Sequence, residues 1–132
     1  MRSFNRWYAP LLNQQMGTTL YIRRRFPKAT FHLEKRVNQR HQMIRHIRFE
    51  LNGKMIVHAR SCVDLDQSNP EVIRLLKETD MPIGEIVKQF KVRRTRQRST
   101  SRTREVHFNG DLHAKVWERF YMLPPADVQS RA

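Results

Sequence analysis

The chain predicts an α+β fold built on one antiparallel sheet, and three observations carry that expectation. Apolar-alternating runs flank Asn52-Gly53, and a second set flanks Asn109-Gly110. Asn-Gly between such runs is the strongest short-range hairpin signal, because both residues tolerate the positive φ of a type I′ turn. Between the two sits a pair of helical patterns, Val72, Ile73, Leu75 and Leu76, then Ile83, Ile86, Val87 and Phe90. Strands in hairpins around a central helix pair belong to the α+β class.

The elements follow in order. Trp7 to Leu12 is a short apolar opening, read as a docked helical turn or an extended segment. Gly17-Thr18-Thr19 punctuates it, and Leu20 to Phe26 reads as a short helix with a basic face. Phe31, Leu33 and Val37 recur at even spacing, which predicts a half-buried strand from Thr30 to Val37. In the central hairpin Ile47, Phe49 and Leu51 alternate before the turn and Met55, Val57, Ala59 and Ser61 after it. Ser68 or Asn69 is placed to cap a helix that begins at Pro70 and runs to Thr79. A second short helix follows Pro82-Ile83-Gly84. From Arg93 to Glu105 no residue is apolar, so this stretch is an exposed edge strand, a long loop, or a strand lining a polar cavity. The last hairpin runs from Val106 through Asn109-Gly110 to Val116, and Leu123-Pro124-Pro125 stops its second strand.

At 132 residues the chain is expected to form one domain over residues 1–126, with a polar tail at 127–132. The single cysteine, Cys62, excludes an internal disulfide and a cysteine-rich zinc site. No apolar run reaches the ~18 residues of a membrane span, and no signal-peptide pattern opens the chain. A soluble cytoplasmic monomer is the expectation. The formal net charge of +14 is uneven: residues 1–48 carry net +10 and residues 91–104 net +7, around a near-neutral centre. Such self-repulsion weakens a compact state unless something anionic is near. A small polyanion, a dicarboxylate, a nucleic acid or an acidic membrane face each satisfies it.

The chemistry is bounded as well. The chain has no Gly-rich phosphate loop, no Cys-x-x-Cys, no His-Glu-x-x-His and no serine-nucleophile elbow. No pattern calls for a metal or a cofactor. Three positions suit an acid–base or electrostatic site. Arg45 lies in the first strand of the central hairpin and is read in the phase opposite Ile47, Phe49 and Leu51. Ile83-Gly84 opens a helix whose free amides can take a carboxylate. Glu118 sits between Trp117 and Phe120 late in the final strand, where periodicity allows either a site acid or a solvent-facing residue.

At these residues the sequence resembles the chorismate lyase (chorismate–pyruvate lyase) family. Ile44-Arg45-His46-Ile47-Arg48-Phe49, Asn52-Gly53-Lys54 and Ala59-Arg60-Ser61-Cys62-Val63 are similar to its arginine-led strand, turn and Gly/Ala-Arg-Thr/Ser strand. Pro82-Ile83-Gly84 resembles its Pro-Leu-Gly, and Gly110 through Trp117-Glu118-Arg119-Phe120 to Leu123-Pro124 resembles its closing strand, in the same order over about residues 17–125. The resemblance implies a six-stranded antiparallel sheet around a largely buried site. It implies elimination of pyruvate from chorismate, a dicarboxylate, to give 4-hydroxybenzoate without metal or cofactor. Arg45 and the backbone of Ile83 would then bind the ring carboxylate, and Glu118 the hydroxyl end. Arg102 or Arg104 is placed to meet the second carboxylate. A non-catalytic sensing domain of the same fold, as in GntR-type regulators, is the second reading. A nucleic-acid-binding role through residues 91–104 is the third, and that strip lacks aromatic residues for base stacking.

Overall fold

The computed structural model describes residues 6–124. The expected polar tail at 127–132 lies outside them. The described chain runs α1 (Ala9–Asn13), α2 (Thr18–Arg25), β1 (Thr30–Asn38), β2 (Gln42–Leu51), β3 (Lys54–Asp64), α3 (Pro70–Glu78), α4 (Ile83–Gln89), β4 (Val92–Ser99), β5 (Thr103–Gly110) and β6 (Ala114–Phe120). The strands form one six-stranded antiparallel sheet in the order β1-β2-β3-β6-β5-β4. Two three-strand meanders thus meet at β3 and β6, and α3 and α4 lie on the chain between them. The α+β fold with an antiparallel sheet is the one the hairpins and helix pair predict.

Local chemistry accounts for the boundaries. Asn52 (φ 52°) and Gly53 (φ 77°) take the positive φ values of a type I′ turn and join β2 to β3. The Asn69 side chain caps α3, its Oδ1 accepting from the Glu71 amide at 2.8 Å, and Pro70 occupies the first helical position. The second Asn-Gly behaves differently. Asn109 and Gly110 remain in β5, opposite Arg93 and Val92 of β4, and the chain turns at residues 111–113. Only Gly110 has positive φ (100°), and a side chain there would meet the Lys91 carbonyl oxygen at 2.4 Å. The glycine is needed for the close approach of β4, and the hairpin has a longer turn than the dipeptide suggests. The apolar-free stretch is the edge strand β4 with its turn into β5.

Two apolar cores form on the covered face of the sheet. Around Trp7, Tyr8, Leu11, Ile22, Phe26, Phe49, Val57 and Phe120, α1 and α2 pack on one end. The Trp7 ring meets Tyr8, Phe26 and Phe120 edge-on at 5.3–6.0 Å between centroids, and its Nε1 donates to the Tyr121 carbonyl at 2.8 Å. Around Met43, Val63, Val72, Leu76, Ile86, Leu112 and Ala114, α3 and α4 pack on the other end. Burial of this many large side chains is the dominant stabilising contribution. Two rows of the sheet lie between the cores, and of their residues Ile47 alone is packed against a core, the one around Trp7.

Candidate active site

Those middle rows are written in the strand register. In one, Arg45 stands opposite Ser61, Ser61 opposite Val116, and Val116 opposite Val106. In the next, Ile47 stands opposite Ala59, Ala59 opposite Glu118, and Glu118 opposite Arg104. The short side chains of Ser61 and Ala59 fall at the centre and cannot reach the helices above. A cavity of about 540 Å³ remains, floored by these residues and roofed by α2 and α4. The roof helices approach closely: a side chain at Gly84 would lie 2.9 Å from Cβ and Oγ1 of Thr19. Arg23 Nη1 and Glu85 Oε2, 2.6 Å apart, link the same two helices at the rim.

Arg45, Ile83, Arg104 and Glu118 all line this cavity. Arg102 does not. It is exposed in the β4–β5 turn, where its carbonyl accepts from the Phe120 amide. Arg45 also differs from its expected phase. Residues 45, 47, 49 and 51 are separated by even steps in a period-two element, so Arg45 shares the covered face with Ile47, Phe49 and Leu51.

Arg45 is only 1% exposed, yet it has no carboxylate partner among the described residues. Its Nη2 donates to the Met81 carbonyl at 2.9 Å, and its Nε is buried with no acceptor. Burial, and the positive charge of Arg36, push its pKa down to about 10, with Asp80 opposing. A buried guanidinium under such strain gains most from an incoming anion.

Arg104, equally buried, is in the opposite condition. Its Nε donates to Glu118 Oε1 at 2.9 Å, its Nη1 to the carbonyls of Leu11 and Met16 at 3.0 and 2.9 Å, and its Nη2 to Thr18 Oγ1 at 2.7 Å. Nearly all of its donors are committed to the protein. The described hydrogen bonds of Glu118 use only one carboxylate oxygen. The Glu118 carboxylate is buried on the cavity floor, not on the solvent side of β6.

Arg94 of β4 completes the wall, and sequence reasoning singled out the strip but not this residue. Its guanidinium lies 5.5 Å from the Phe108 ring centroid and its Nη1 donates to Gln97 Oε1 at 3.0 Å. Burial and the nearby Arg104 lower its pKa, against the pull of Glu118. The available signal was alternation: Arg94 and Phe108 are directly opposite, and Phe108 belongs to the covered face.

Ile83 is the first residue of α4, where the amide has no acceptor within the helix. Together these groups give a largely apolar chamber with two guanidiniums not paired to acids, Arg45 and Arg94, the exposed Lys88 also on its lining, and two ion pairs, Arg104 with Glu118 on the floor and Arg23 with Glu85 at the rim. It suits a flat or apolar anion, with a hydrogen-bond acceptor at Glu118. Among the described residues no group of three His, Cys, Asp or Glu side chains is gathered to hold a metal. No described helix is long and apolar enough to cross a membrane. Set against family models and against curated proteins, the chain matches none.

Proposed function

We propose that the protein is a chorismate lyase-like enzyme, eliminating pyruvate from chorismate to give 4-hydroxybenzoate. The observation that carries this reading is Arg45: a fully buried guanidinium with an unpartnered Nε on the wall of a mostly apolar cavity. Such a group is matched by a carboxylate on a ring that fills the apolar space. In this reading the ring carboxylate of chorismate takes Arg45 and the Ile83 amide. The second carboxylate takes Arg94, because Arg102 is outside the cavity and Arg104 is committed. Glu118 accepts a hydrogen bond from the ring hydroxyl. The ether C–O bond then breaks, a hydrogen from the adjacent ring carbon ends on the methylene of the departing enolpyruvyl group, and the ring becomes aromatic. The two products account for every atom of the substrate. The protein's contribution is the pose and the dry, cationic surroundings.

A binding-only reading has its own support. The Glu118 carboxylate already accepts from Arg104 Nε, so one of its oxygens is committed to the protein before any ligand enters. A small-carboxylate sensor would bind the same ligands without turnover. Incubation with chorismate separates the two: release of 4-hydroxybenzoate, seen by absorbance, together with pyruvate supports the enzyme. Folded protein that binds 4-hydroxybenzoate and releases neither product leaves the sensor.

A further inference from the structure

The uncovered face of the sheet carries much of the charge that the cavity does not use. One register row crosses all six strands there: Arg98 opposite Glu105, Glu105 opposite Trp117, Trp117 opposite Arg60, Arg60 opposite His46, and His46 opposite Lys35. Five inter-strand spacings make it about 24 Å long. The neighbouring rows add Arg119, His58 and Arg48 on one side, and Arg96, His107 and Lys115 on the other. At the centre the rings form a track. His46 stacks on His58 at 5.8 Å, and His58 meets Trp117 edge-on at 6.3 Å.

The carboxylates on this face are already engaged. Glu34 and Glu50 pair with Arg48, and Glu105 pairs with His107. Lys35, Arg60, Arg96, Arg98, Lys115 and Arg119 form no ion pair among the described residues. We propose that this face binds single-stranded nucleic acid, with bases stacked along Trp117, His58 and His46 and phosphates on the flanking arginines and lysines. The basic strip of β4 has no aromatic residue of its own, and the sheet register supplies them from β2, β3 and β6. Stacking on an open, ring-bearing sheet is indifferent to base identity, while the cations follow the backbone charge. Burial and the charges of His58, Lys35 and Arg60, against the pull of Glu34, lower the His46 pKa, which favours the neutral ring. An anionic membrane fits less well, because the exposed large apolar residues of the described chain, Leu20 and Met122, are outside this row.

The test uses the full chain and fluorescein-labelled single strands of about 15 nucleotides, oligo-uridine and oligo-thymidine, followed by anisotropy. Binding at low salt should weaken linearly in log–log form as salt rises, and Arg60→Gln should lower that slope by about 0.7. Trp117→Ala should weaken binding about tenfold, and Trp117→Phe should restore most of it. Saturating 4-hydroxybenzoate should leave the affinity unchanged, so the outcome is independent of what the cavity does. The proposal is overturned by no binding at about 50 mM salt, or by equal binding of wild type and both Trp117 variants. Preferential binding to phosphatidylserine vesicles, or a stable dimer that protects Trp117 from quenching, overturns it as well.

Discussion

Arg104 Nε lies 2.9 Å from Glu118 Oε1, and both side chains are buried on adjacent strands of the cavity floor. The remaining donors of Arg104 hold the carbonyls of Leu11 and Met16 and the Thr18 hydroxyl. One ion pair therefore ties β5 and β6 to the connection between α1 and α2. It fixes the carboxylate that faces the cavity and the segment that begins the roof.

Removing one partner of such a pair leaves a buried charge uncompensated, at a cost of about 3–5 kcal/mol. Arg104→Ala should therefore lower the melting temperature by roughly 10–20 °C and loosen the α1–α2 connection, seen as faster amide exchange at residues 11–18. Glu118→Gln keeps an oxygen for Arg104 Nε but not the negative charge, and should cost somewhat less stability, about 2–4 kcal/mol. It should still abolish most turnover of chorismate. Full activity in Glu118→Gln argues against its place in the site.

Arg45 presents the reverse balance. Its folded pKa, about 10, lies below its ordinary value because burial disfavours the charge. The folded state therefore holds its proton less tightly than the unfolded state, so at pH 7 this residue subtracts from stability. That penalty is relieved only as pH rises above about 10. Arg45→Met should leave the melting temperature unchanged or raise it, while 4-hydroxybenzoate affinity falls by roughly ten- to a hundredfold. Thermal melts with and without ligand check both halves. A large loss of stability, with ligand binding intact, makes Arg45 structural.

The two Asn-Gly dipeptides show what was legible and what was not. Both lie between alternating runs, and at Asn52-Gly53 local conformation decides the turn. At Gly110 the deciding contact is Lys91, which no short-range pattern contains. The same holds in the cavity. Strand and helix position point to Arg45, Ile83 and Glu118, and the resemblance adds Arg104, but the burial of Glu118 depends on a register partner fourteen residues away. Sequence position leaves Arg102 and Arg104 as alternatives, and the strand start at Thr103 puts the first in the turn and the second on the cavity floor. The misreading of Arg45's phase was one of parity, and even spacing in a strand settles it. A consequence is testable: Gly110→Ala, which adds a clash to positive φ, should cost about 2–4 kcal/mol. Gly53→Asn, in open space, should cost less than about 1 kcal/mol. Equal denaturant midpoints for the two variants would contradict the β4 contact.

Under the proposed function, Arg94 takes one carboxylate of chorismate and Arg45 the other. It lines the cavity from the edge strand β4, on the same face as Arg45 but across β3, β6 and β5 from it, with Phe108 beneath its guanidinium. It is only half-buried, so its loss should change stability by less than about 1 kcal/mol. A dianion spanning the chamber would touch both arginines, and a monocarboxylate only one. Arg94→Gln should therefore raise KM for chorismate roughly tenfold or more, yet leave 4-hydroxybenzoate binding within about twofold. Arg45→Gln should weaken both ligands alike. Because the two variants alter the same charge at opposite ends of one cavity, a general electrostatic effect predicts parallel losses for both ligands. Parallel losses would assign the second carboxylate elsewhere, and divergent ones fix the orientation of the substrate.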